Sequence, residues 1–507
     1  MPVNNLVTDF QRLLNEAQTA GTENELFLQV MEPGAAKQFR LCAVPHQFDS
    51  KILRILDPNL TTDQAQLRCE EFSRLSAVTQ SGERWAVHDK WRRGIFAKWL
   101  QPDNYPEFQI ASQRLADFFY NEFDVQSGEE KESALRSHMY HLLGADQEAG
   151  FGQFEVLFQY ARRYLRLAEC ATLIKLVHDY DAVLTTDNAV RLSYHEGKLA
   201  SDQCDWKKAE QLFTDLLHRP DIEPELLAKT YRRLGYVFAS QGHYDAAIEY
   251  QRSAQKIAET TPEASQIIPS ILHEMGVAFR DNGDFTEAEK ILQESLERAV
   301  MQEKQAWVPI VYNSLGHLYL MQHQALQAIT SFTSALEKLK EPQDIIQMSQ
   351  VYNNLGLAYL EWGDWQTSQD WFTKSLEIKR KSGDVLGQAS ALNNLSIVSF
   401  NLGHKDEAIA NTSEAAVLLK MAGELKKEGV CKQNLAKYYR KLGKKDLARQ
   451  NLAEAIDLFV SVRNTFGELE SRTELENIDK NHGLPWWAWL AICLIFLPLI
   501  VGLIFLT

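Results

Sequence analysis

The sequence predicts a mainly α-helical protein: a long α-solenoid, preceded by a smaller helical domain with a β-hairpin and followed by one apolar C-terminal helix. Three observations predict it. The segments YRRLGYVF (231–238), ILHEMGVAF (271–279), YNSLGHLY (312–319), YNNLGLAY (352–359), LNNLSIVS (392–399) and KQNLAKYY (432–439) return at steps of 40 or 41 residues. A fixed period of this size marks stacked helix pairs, not a single compact core. Short apolar runs between 35 and 100 bracket two strand-like stretches. Finally, 486–506 is a run of 21 residues with no charge.

In chain order, 1–34 reads as an N-terminal helical segment. It lacks the basic start and apolar run of a secretory leader. AAKQFRLCAV (35–44) is apolar at helical spacing, and FDSKILRIL (48–56) is a second helix entered through Asp49 or Ser50. TTDQAQLRCEEFSRLS (61–76) is a third, with Thr61 or Thr62 as its cap. AVTQ (77–80) and WAVHD (85–89) are strands joined through Gly82, and KWRRGIFAKWL (90–100) is a fourth helix. Three helices, a hairpin and a helix resemble the winged helix that follows the nucleotide-binding domain of STAND-type signalling ATPases. His88–Asp89 stands where that family carries an HD pair. The resemblance covers roughly 35–105 and implies a protein-contact role. It departs from the family in one respect: no GxxxxGK[ST] phosphate loop occurs in the chain. The stretch 106–190 reads as irregular helical hairpins.

The solenoid is expected over 191–480. Within each unit a small residue (Gly235, Gly276, Gly316, Gly356, Ser396, Ala436) is followed twelve positions later by another (Ala247, Ala288, Ala328, Ser368, Ala408, Ala448). Two antiparallel helices approach closely only where side chains are small. Phe238, Phe279, Tyr319, Tyr359 and Tyr439 are expected to fill the gap between the helices, and Ser399 interrupts that column. Gly197, Ala209 and Phe213 fit one further unit, giving about seven, and 463–480 supplies the polar cap that a solenoid end needs. These positions resemble tetratricopeptide repeats, in the forty-residue version with NNL in the first helix that is found in kinesin light chains.

That resemblance implies a peptide-binding groove. Its first column is Arg232, His273, Asn313, Asn353, Asn393 and Gln433, and its second includes His317 and Lys437. Asparagine suits the task, because its amide offers donor and acceptor to a peptide unit. The alternative is that these asparagines bond neighbouring repeats.

The 486–506 span, at about 1.5 Å per residue, matches the thickness of a bilayer core. Trp486, Trp487 and Trp489 crowd one end as an interfacial belt does, and Pro498 is tolerated in a membrane helix. We expect a transmembrane tail anchor with the bulk of the chain cytoplasmic.

Other functions are disfavoured. A net charge of −15 argues against broad nucleic-acid binding. The six cysteines are scattered, without zinc-like spacing. HExxH and GxSxG are absent, and the pairs His88–Asp89 and His178–Asp179 lack the further ligands of a metal hydrolase. We therefore expect no enzyme, no cofactor and no metal. The expected function is a membrane-anchored adaptor that binds a protein or peptide partner. The alternative is a membrane-tethered winged-helix regulator of transcription or stress, controlled through its tetratricopeptide repeats.

Overall fold

A computed structural model describes residues 23–220 and 222–480. The chain divides into two compact units, one ending at His243 and the other beginning at Tyr244. The expected membrane helix at 486–506, with Trp486, Trp487, Trp489 and Pro498, lies outside the described residues. Among those described, no helix is long and apolar enough to cross a membrane.

The first unit opens with α1 (Glu23–Val30), α2 (Pro33–Cys42), α3 (Ser50–Leu56) and α4 (Thr62–Ser73). Local chemistry sets their starts. The Glu32 carboxylate accepts from the amides of Gly34 and Ala35, and Asp49 accepts from Ile52. Thr61 and Gln64 form a reciprocal capping box. Strands β1 (Val78–Ser81) and β2 (Arg84–Val87) pair antiparallel from Val78↔Val87 to Ser81↔Arg84. Gly82 takes the left-handed conformation (φ 63°) that this tight turn demands. Then follow α5 (Asp89–Trp99), α6 (Tyr105–Val125), α7 (Gly128–Ala145), α8 (Gln147–Arg163), α9 (Leu167–His178), α10 (Thr186–Asp202), α11 (Trp206–Leu217) and α12 (Pro224–Ser240). One apolar core runs through this unit, from Phe39 and Phe72 through Trp99 and Phe108 to Phe158 and Leu199. It crosses residue 105 without a break.

The second unit is a run of helix pairs. They are α13 (Tyr244–Thr260), α14 (Ile268–Asp281) with α15 (Phe285–Met301), α16 (Val308–Met321) with α17 (Ala325–Lys338), and α18 (Ile345–Trp362) with α19 (Trp365–Ser382). Next come α20 (Val385–Asn401) with α21 (Lys405–Met421), α22 (Leu425–Lys441) with α23 (Lys445–Ser461), and α24 (Thr465–Lys480). The turn inside each pair repeats the period: Gly283, Gly363, Gly403 and Gly443 all have positive φ, and His323 takes the same conformation where the sequence lacks glycine.

The small residues do permit close approach, but the group that fills the gap differs from the expected one. A Cβ on Gly316 would lie 2.4 Å from Phe332 Cε1, and one on Gly356 would lie 2.6 Å from the Phe372 ring. Leu292 stands in the same relation to Gly276, and, in the first unit, Phe213 to Gly197. The filler is thus the residue sixteen positions on, in the second helix. Of the expected column, Phe279 is buried, while Tyr319, Tyr359 and Tyr439 are half-buried at the edge of the core. The smallness at twelve positions on has its own role: Ser368 Oγ donates to the Gly356 carbonyl at 2.6 Å.

Gly316→Ala is expected to destabilise by about 1–2 kcal/mol. The overpacking against Phe332 exceeds the helix-propensity gain of about 1 kcal/mol. Gly152→Ala, in α8 with open space around its Cβ position, should instead stabilise by about 0.5–1 kcal/mol. Urea unfolding of both variants checks the contrast.

Candidate binding face of the second unit

The first helices of the pairs carry a hydrogen-bond ladder. Asn354 Nδ2 donates to Asn313 Oδ1 at 2.7 Å, Asn394 Nδ2 to Asn353 Oδ1 at 3.1 Å, and Asn434 Nδ2 to Asn393 Oδ1 at 2.9 Å. His273 Nε2 lies 2.8 Å from Ser314 Oγ in the same relation. Every rung joins residues 41 positions apart. The two asparagines of NNL therefore have different tasks: the second reaches back to the preceding repeat, and the first receives the bond.

The ladder ends on the cap. Gln433 is buried, and its Nε2 donates to Ser471 Oγ (2.9 Å) in α24. Lys437 forms an ion pair with Glu470 at 3.5 Å. The cap thus engages both residues expected at that end of the groove. His317 is a packing imidazole, edge-on to Phe332 with centroids 5.6 Å apart. Burial, with Arg280 nearby, pushes its pKa down to about 4. Arg232, in α12 of the first unit, is half-buried. Asn313, Asn353 and Asn393 are also half-buried. Each has its oxygen committed to the ladder, that of Asn393 also accepting from Cys431 Sγ at 3.7 Å, so Nδ2 is the donor left for a ligand.

The two HD pairs prove to be structural. His88 Nδ1 accepts from the Lys90 amide as the cap of α5. His178 lies between Asp181 (3.0 Å) and Glu196 (2.9 Å). Asp179, half-buried, ends a network of two buried side chains: Arg92 Nη2 donates to Tyr140 Oη at 2.6 Å, and Tyr140 Oη donates to Asp179 Oδ2 at 3.0 Å. Arg92 Nη1 also reaches Asp179 at 3.3 Å. Desolvation works against the Arg92 charge, but Tyr140 and Asp179 outweigh it and raise its pKa. Sequence pattern gives no sign of this, because KWRRG reads as an exposed basic face. Among the described residues, no group of His, Cys, Asp and Glu has the arrangement of a metal site. Trp362 and Trp365, beside the turn inside one pair, are 54% and 40% exposed.

Arg92→Ala should cost about 2–3 kcal/mol by removing the donor to buried Tyr140 and the guanidinium that, with His46, pairs half-buried Asp179. Arg93→Ala, at an exposed position, should stay within about 0.5 kcal/mol. Denaturant midpoints decide. His317 gives a pH signature. Its folded pKa lies below the unfolded value of 6.5, so the unfolded chain binds the proton first as pH falls. Stability should therefore drop between pH 6.5 and about 4 and then level off. His317→Leu should remove about 2 kcal/mol of that drop, read from unfolding curves at pH 7 and pH 4.5.

Comparison with known proteins agrees with the repeat geometry. Residues 268–341 and 347–420 match one tetratricopeptide repeat model, and 228–261 and 431–459 match another. No curated protein matches the chain. Among solved structures it is similar to a STAND protein with a tetratricopeptide repeat sensor from Pyrococcus horikoshii. The identity is 13% and the TM-score 0.55, over 91% of this chain and 72% of that one. At this identity the likeness concerns the fold alone. A Rap protein complexed with Competence and Sporulation Factor gives 14% identity and a TM-score of 0.45, over 65% of this chain and 97% of that one. BtubC from P. vanneervenii gives 24% and 0.33, over 47% and 92%. The repeating helix pairs between 228 and 459 are tetratricopeptide repeats.

Proposed function

We propose that the protein is a scaffold whose second unit holds a protein or peptide segment along the face of its first helices. The observation that carries this reading is the half-buried column of Asn313, Asn353 and Asn393. Each oxygen is engaged by the next repeat, so each amide nitrogen is oriented by the ladder and has hydrogens to donate. Neighbouring packed helices lie about 8–10 Å apart, which is about three residues, or one turn, of a polyproline-II-like extended chain. Donors at that interval would meet backbone carbonyls at every third residue and ignore most side chains.

The forty-residue turn register supports a repeat of the kinesin-light-chain kind. For 35–105 we propose a winged-helix-type module with a protein-contact role. Its order of three helices, hairpin and helix supports this, and so does the burial of Arg92, which removes one cation from any nucleic-acid face. The uncharged 486–506 segment with its tryptophans supports single-pass anchoring with the bulk of the chain cytoplasmic.

The test uses Asn313→Asp, Asn353→Asp and Asn393→Asp together. A carboxylate keeps the acceptor that Asn354, Asn394 and Asn434 need, yet offers no donor. Extended peptides selected on the full-length protein should bind the triple variant at least tenfold more weakly, with helicity retained. Unchanged affinity would remove the column from the site. The anchor is checked separately: the full-length protein should resist alkaline extraction from membranes.

A further inference from the structure

A cleft in the first unit runs between the β-hairpin and helix α7, with α6 and α9 as further walls. It has two compartments, of about 250 and 290 Å³, which share Gln47, Arg84, Phe119, Ser133 and Ser137. Each is near the lower end of the size range of small-molecule sites, about 300–1,000 Å³. Along α7 the lining residues Ser133, Arg136, Ser137, Tyr140 and His141 fall at helical spacing, so one face of this helix forms the floor.

The inner compartment is rich in donors, and among the described residues no carboxylate lines it. His141 is 2% exposed and lies flat on Phe119, with the ring planes 6° apart. Its buried Nδ1 has no partner. Burial holds its pKa well below the usual value, so the ring is neutral and has one donor and one acceptor nitrogen. A buried polar atom is normally bonded, and one that is not calls for a reason. Arg136 is balanced in charge but makes no hydrogen bond. Its Nη1 lies 3.5 Å from Glu169 and 4.0 Å from Glu132, whereas Arg166 holds the same two acids closer, at 2.8 and 2.9 Å. Arg84 donates to Asp49 through Nε alone, at 3.0 Å, which leaves its two Nη groups for the cleft. Donors are in surplus here, not net charge.

The outer compartment has the opposite character. Glu83, Glu122 and Glu130 line it together with Arg84. Lys51 pairs with Glu122 at 2.7 Å, while Glu83 and Glu130 form no ion pair among the described residues. Phe119 stands in the wall of both compartments and offers an apolar surface between the two polar ends.

We propose that this cleft binds a small zwitterion, a free α-amino acid or a short peptide, with its carboxylate among Arg84, Arg136 and His141 and its ammonium among Glu83, Glu122 and Glu130. Guanidinium forks match the edge of a carboxylate, and acids at the far end fix the direction of the ligand. The site lies wholly in the first unit and is independent of the asparagine column.

The experiment is a thermal-shift screen of the full-length protein with each of the twenty standard amino acids and with trialanine, followed by calorimetric titration of every compound that raises the Tm. At least one should bind at one site per chain with a Kd below about 1 mM. The tighter of the two kinds tells a free amino acid from a peptide. The N-acetyl and C-terminal amide derivatives of that ligand should each bind at least tenfold more weakly. Arg136→Gln, which has no hydrogen bond to lose, should weaken binding at least tenfold and leave the Tm of the unliganded protein near that of the wild type. His141→Phe keeps the stack on Phe119 and should weaken binding to the same extent. Absence of binding by all of these compounds at about 10 mM overturns the proposal. So does binding that neither variant weakens, and so does undiminished binding of either derivative, because the cleft would then not read both charges.

Discussion

The second unit depends on a close approach that leaves no room for a side chain. Where Gly316 faces Phe332, or Gly356 faces Phe372, the ring occupies the space a Cβ would need. This contact sets how far apart the two helices of a pair can sit. Once that spacing is the same in successive pairs, the first helices are carried past one another in a constant register, and a side-chain amide can find its acceptor 41 residues back. Packing sets the geometry, and the ladder then selects one alignment among those that packing alone would allow. A buried or half-buried amide hydrogen bond adds about 1 kcal/mol, too little to define the fold but enough to disfavour a slipped register.

The two units solve the problem of a buried polar interface differently. In the second, neutral amides pair with neutral amides, and the ladder involves little desolvation of charge. In the first, the helix contacts are ionic: Arg92 reaches across to Tyr140 and Asp179, and Arg191 is surrounded by acids. Charges inside a fold cost much more to strand than amides do, so this unit tolerates less change at its polar positions. Its core, continuous from Phe39 to Leu199, makes the N-terminal module and the helices after it one cooperative body.

Much of the solenoid was legible because sterics leave a trace in composition. Gly197, Gly276, Gly316 and Gly356 are small for a reason that shows as period. The turns were legible for a similar reason, except at His323, where the backbone keeps the left-handed conformation without glycine. The ladder was legible only in part. Asn353 and Asn354 are neighbours of one chemical type, and only a contact between repeats tells acceptor from donor. Arg92 and Lys198 were not legible at all. KWRRG and HEGKLAS look like ordinary solvated helix faces, and what buries those cations comes from helices 40 or more residues away. Trp362 and Trp365 show the opposite case: large aromatic rings that flank a turn on the surface.

The rungs of the ladder bear on how such a chain can change its length. Each rung connects one repeat to the next by an offset that is the same wherever it falls in the series. Duplicating or excising the unit that carries Asn353–Asn354 or Asn393–Asn394 would therefore return each remaining asparagine to an equivalent partner. Bonds peculiar to their place lie at the two ends, where His273 meets Ser314 and Gln433 meets Ser471. A stack built this way can grow or shrink by whole units while its cap stays as it is, and the length of its first-helix face becomes a matter of copy number.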